Sequence, residues 1–107
     1  MGYTPTVVTI ETITGTTYTL ANTDMVKLLL FTSGSPVTII IPAGSFTLVG
    51  ADCTLVQAGA GQLSVVAAGG ATLNTPGGMY KSAQQFATLT TIQTAANVWL
   101  LAGALST

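Results

Sequence analysis

Glu11, Asp24 and Asp52 are the acids of this chain and Lys27 and Lys81 its bases; histidine and arginine are absent. General acid–base catalysis needs a histidine or a matched pair of carboxylates within reach of one proton. The three carboxylates fall on separate strands and turns, so the chain reads as no enzyme and no catalytic residue is assigned. A calcium corner could be drawn from Asp24, Asn22 and backbone carbonyls, but the spacing of an EF-hand-like loop is missing. No metal ligand and no cofactor is therefore expected. Gly59-Ala60-Gly61 lacks the Lys-Ser/Thr that would make it a phosphate cradle. Cys53 is the single cysteine, which excludes an intrachain disulfide. It lies in an apolar run beside Asp52 rather than beside a base, as a small buried hydrophobe does and a reactive thiol does not. Two isolated lysines cannot displace phosphate counterions along a duplex, which sets nucleic-acid binding aside.

The elements that must carry these residues follow from composition. Of 107 residues 49% are hydrophobic and 5% charged, against roughly 25% charged in an ordinary soluble domain. No apolar run approaches the ~20 residues of a membrane helix, so no membrane partner is expected. So little charge predicts a surface of Thr, Ser, Gln, Asn and Gly, part of it covered by another subunit or a partner. MGYTPTVV lacks the basic region and apolar core of a secretion signal, and its match to the myristoylation pattern is short and common. Synthesis in a cytoplasm, without export by a signal, is the expectation.

Pro5 holds its predecessor extended, which makes residues 1–6 an arm. Short β-branched runs then alternate with Gly, Pro and Asn signals: Thr6–Ile13, Thr16–Leu20, Val26–Thr32, Val37–Ile41 and Phe46–Val49. Val26–Thr32 is apolar enough to be buried on both faces. Between Cys53–Ala58 and Leu63–Ala67, Gly59-Ala60-Gly61-Gln62 reads as a hairpin turn in which glycine supplies positive φ. Gly69-Gly70 leads into Ala71–Asn74, and Pro76-Gly77-Gly78 closes this meander. Met79–Gln85 is irregular and places Tyr80 and Lys81 at the surface. Phe86–Thr94 alternates, Ala95-Ala96-Asn97 turns, and Val98–Ala102 carries Trp99, read as core with sugar stacking as the alternative. The prediction is one all-β domain over residues 1–107, a small antiparallel β-sandwich, jelly-roll-like, of about nine short strands.

Several of these stretches carry a resemblance. TYTL, KLLLFTS and VTIIIPA are followed by Gln57, Gly59, Gly61 and Gln62, by the Leu73–Gly78 turn, and by Trp99, Leu101 and Gly103 near the end. Together they resemble a β-rich module of bacteriophage structural proteins, found in capsid decoration (cement) proteins and in tail-fibre or tailspike head segments. The resemblance implies a homotrimer without enzymatic activity. A short chain without an anchoring segment is more similar to the decoration proteins, which bind the outer face of the major capsid protein and stabilise the shell. Location on the virion capsid surface follows as an expectation. The alternative is a tail-fibre-associated or receptor-binding module in which Tyr80, Lys81 and Trp99 face a host glycan. Interface candidates are Tyr3, Thr4, Pro5, Thr6 and Val7 of the arm, which could add to a neighbour's sheet edge, together with Tyr80 and Lys81.

Overall fold

The computed structural model describes residues 8–44 and 49–107. The expected arm, the candidates Tyr3, Thr4, Pro5, Thr6 and Val7, and most of the expected Phe46–Val49 strand lie outside them. Among the described residues there are eleven strands: β1 (Thr9–Ile13), β2 (Thr17–Thr19), β3 (Lys27–Phe31), β4 (Val37–Ile41), β5 (Asp52–Gln57), β6 (Leu63–Ala67), β7 (Thr72–Asn74), β8 (Lys81–Ser82), β9 (Thr88–Ala95), β10 (Val98–Gly103) and β11 (Leu105–Ser106). Two single 3-10 turns, Asn22–Asp24 and Pro76–Gly78, complete the regular structure. The all-β class is as expected, in two sheets, with more strands than the predicted nine or so.

Strand order is β1-β3-β5-β9-β10-β7 in one sheet and β11-β8-β6-β4-β2 in the other. The chain therefore changes sheet at nearly every connection. β1–β2, β3–β4 and β5–β6 form three stacked coils, each giving one strand to each sheet. Coil on coil the pairing is parallel: β1 with β3, β3 with β5, β2 with β4, and β4 with β6. Antiparallel pairing begins where β9 lies on β5 and β8 on β6, and continues to β10 and β11. The sheets are thus mixed, not antiparallel throughout, and their wiring departs from the jelly-roll-like order expected from the sequence. Among the described residues the first coil, β1 with β2, forms a sheet edge on both sides of the molecule.

The physical reason lies at the glycine corner. Gly59 and Gly61 do not close a hairpin, because β5 and β6 belong to different sheets. Neither has a positive φ. What they supply is the absence of a Cβ where this corner lies on the one before it. Gly59 N–H donates to Phe31 O at 2.9 Å and Gly61 N–H to Ser33 O at 2.9 Å. A Cβ on Gly61 would stand 1.9 Å from Ser35 O, and one on Gly59 would stand 2.4 Å from the carbonyls of Thr32 and Ser33. The one tight hairpin that the sequence announced and the structure contains is β9–β10, where Asn97 takes φ 58.

Alternation decides what is buried, since successive side chains of a strand point to opposite faces. Leu29, Phe31, Leu55, Leu89, Trp99 and Leu101 from the first sheet meet Val37, Ile39, Ile41, Leu63 and Val65 from the second, all 1% exposed or less. In β3 the outward Leu28 and Leu30 are half-buried, so this strand is not buried on both faces as its composition predicted. Phe86 was expected to open the strand that became β9; it stands before that strand, in a turn.

A buried polar knot joins the two sheets beside this core. Ser82 Oγ donates to Gln57 Oε1 and accepts from Leu63 N–H at 2.8 Å. Gln62 Nε2 donates to Ser82 O at 2.8 Å, and Gln57 Nε2 to Gly59 O at 3.2 Å. Ser82 is 0% and Gln57 3% exposed, so water cannot replace a lost partner. Ser82→Ala is expected to lower unfolding free energy by about 2–4 kcal/mol, because it strips partners from two buried groups at once. Urea unfolding with an unchanged m-value is the check.

Candidate interaction surface

The ionisable groups come from separate strands and turns, yet Glu11, Tyr18, Asp24, Lys27, Asp52 and Cys53 are brought near enough to act on one another electrostatically. Asp24 is buried in the first 3-10 turn, where its carboxylate accepts from Tyr18 Oη–H at 2.7 Å and from Ala21 N–H at 2.9 Å. Both oxygens thus serve the fold, with Tyr18 set edge-on to Phe31 at 5.9 Å between ring centroids. Glu11 on β1 pairs with Lys27 on β3 at 2.9 Å, and this contact holds the Lys27 ammonium above its ordinary value. Asp52 is exposed at the start of β5. No group of three or more acidic, cysteine or histidine side chains among the described residues could hold a metal ion.

Cys53 is buried, and burial first, then the charges of Asp24 and Asp52, push its thiol up to about 12. Tyr18 is raised too, by burial and by its bond to Asp24. A folded-state value above the unfolded one means that the folded protein holds the proton more tightly. Stability should therefore be flat through neutral pH and fall as pH rises from the ordinary thiol value of 9.0 toward about 12. Thermal melts across that interval check the sign. An alkylating reagent at pH 8 should leave Cys53 untouched in the native protein and modify it in denaturant.

The surface offers apolar side chains instead of charges. Ile10 on β1 is 62% exposed and Val8 47%, Leu100 on β10 39%, and Val66 on β6 43%. Tyr80, 40% exposed, and Lys81 stand where the sequence put them, at the surface. Together with Leu73 and the Ser64–Ala67 stretch of β6 they line an open groove of about 400 Å³. Trp99 is 0% exposed, so it is core and faces no ligand; the glycan-stacking role considered for it does not fit its position.

The chain matches no family model, no curated protein and no solved structure. Its functional surface has to be read from its own geometry.

One residue of that surface was not anticipated. Phe86 is 71% exposed and takes φ 67. Ala87 N–H donates to Gln84 O at 3.0 Å, closing a four-residue turn with Phe86 third, the position where positive φ favours glycine. Phe86 N–H to Gln57 O at 2.6 Å and Gln57 N–H to Ala87 O at 3.1 Å fix the turn onto β5. A left-handed conformation costs a bulky residue about 1–2 kcal/mol, and this ring recovers little of it by burial within the chain. Val26 shows the same combination, with φ 59 and 54% exposure. No sequence signal marks either residue, since φ is imposed by bonds to strands far along the chain.

Proposed function

We propose that the chain is a non-enzymatic structural protein of a virion, a decoration protein that binds the outer surface of a capsid as a homotrimer and stabilises the shell. The observation that carries this function is the pairing of exposed apolar side chains, Ile10 and Phe86 foremost, with a chain in which 5% of residues are charged. Such a surface gains free energy by being covered, at about 25 cal/mol per Å² of apolar area. Repetition over a shell multiplies modest contacts. The resemblance of the Gln57–Gln62 and Trp99–Gly103 motifs to phage structural modules supports the same role. The partners are then the major capsid protein and other copies of the chain.

Antibody-gold labelling of intact particles from the producing host tests the proposal. Label over the head is the expected result; label at the tail tip favours the receptor-binding alternative, and unlabelled particles overturn both. Capsid binding should also be little weakened by moderate salt, because screening acts on charges this surface mostly lacks. Deleting residues 2–6 should lower capsid occupancy if the arm makes the contact.

A further inference from the structure

The exposed ring of Phe86 and the open groove suit one another in size and chemistry, and we infer that copies of this chain associate by seating Phe86 of one in the groove of the next. Three observations converge on a second copy as the occupant. Phe86 is held in a left-handed conformation, φ 67, by the backbone bonds to Gln57, while its ring stays 71% exposed and recovers little of the cost by burial. Strain kept at an exposed side chain points to a use outside the chain. The groove, about 400 Å³, is walled by Val66, Ala67, Leu73 and Tyr80 and bordered by Lys81. That space suits one aromatic ring with an apolar neighbour. With a net charge of −1, copies approach without appreciable repulsion.

Ring and groove lie close along the chain. Lys81 and Phe86 are five residues apart, a span of at most about 18 Å even fully extended. Repeated head to tail about a threefold axis, the contact closes into a ring of three, the arrangement the proposed homotrimer requires. This deepens the homotrimer part of the proposed function and is independent of its capsid part.

Sedimentation equilibrium on the purified protein, without capsids, tests it with two variants chosen to stay folded. Phe86→Gly places at φ 67 the residue that this backbone favours. Val66→Lys puts a charge on an outward side chain that is already 43% exposed. The expected result is a multimeric wild type, with each variant dissociating at about tenfold or more higher concentration while keeping the wild-type far-UV circular dichroism. A multimer indifferent to both substitutions overturns the inference and leaves the homotrimer standing. A wild type that is monomeric at every concentration overturns both. Loss of capsid labelling with the multimer intact would leave this contact in place and remove only the capsid role.

Discussion

Gly61→Ala should be among the most damaging single substitutions in this chain, although it adds one methyl group. That methyl would sit 1.9 Å from Ser35 O and 2.5 Å from Ser35 C, and neither atom can swing away as a side chain could. Gly61 N–H already bonds Ser33 O at 2.9 Å, and Gly59 N–H bonds Phe31 O. Relief therefore requires lifting the third coil off the second. Overpacking of this kind costs about 3 kcal/mol or more, and for a domain near 100 residues each kcal/mol lowers Tm by about 4–8 °C. Gly34→Ala is the control, since a Cβ there meets nothing within 4 Å and the residue needs no positive φ. A fall in Tm of ten degrees or more for Gly61→Ala, with Gly34→Ala near wild type, is the expected pair of results. Equal melting of the two would refute the stacking of corners.

Trp99→Ala follows in size. Trp99 is among the largest fully buried side chains and 0% exposed, on β10 between Gln93 of β9 and Leu73 of β7. Removing it leaves a cavity that a sheet bonded on both sides of β10 cannot collapse, at a cost of about 3–5 kcal/mol. Total stabilities of 5–15 kcal/mol are usual for single domains, so the variant should be partly unfolded near 37 °C. The next residue, Leu100, points outward at 39% exposure, and Leu100→Ala should cost about 1 kcal/mol or less. Denaturant midpoints for the two variants would separate an inward from an outward side chain at adjacent positions. A lost binding activity in Trp99→Ala would report unfolding, not a missing ligand contact.

Much of this is legible in the sequence. Val37–Ile41 and Leu63–Ala67 were bounded correctly as strands, because β-branched runs ended by proline or glycine leave few alternatives. Partnership between strands was not legible. Gly-Ala-Gly-Gln suits a hairpin turn and a corner between sheets equally well; what decides is the backbone of Thr32–Ser35, which lies a whole coil away. The repeat itself is hidden by unequal coils. Thr9 faces Lys27, 18 residues on, and Thr17 faces Thr38, 21 residues on, whereas Leu28 faces Thr54 at an offset of 26. A search for a fixed period finds none. For the surface, Tyr80 and Lys81 stand exposed as expected, but their segment is not irregular: it contains β8, and Ser82 within it is buried. Phe86 is not legible, because its alternation with Thr88 and Thr90 is that of a strand; its φ of 67 in the turn closed by Gln84 and Ala87 removes it from one.

Between the second and third coils the offset is the same in both sheets: Leu28 faces Thr54, and Val37 faces Leu63, 26 residues apart in each case. Equal advance on both sides makes this stretch a unit of length. Duplicating it in tandem would add one rung, extending the body by about 4.8 Å, and would leave every other pairing in register. The antiparallel β8 and β9 act as the stopper against which the last rung rests. A lineage built on this plan can change its reach in whole rungs while keeping its terminus, as a telescoping rod does.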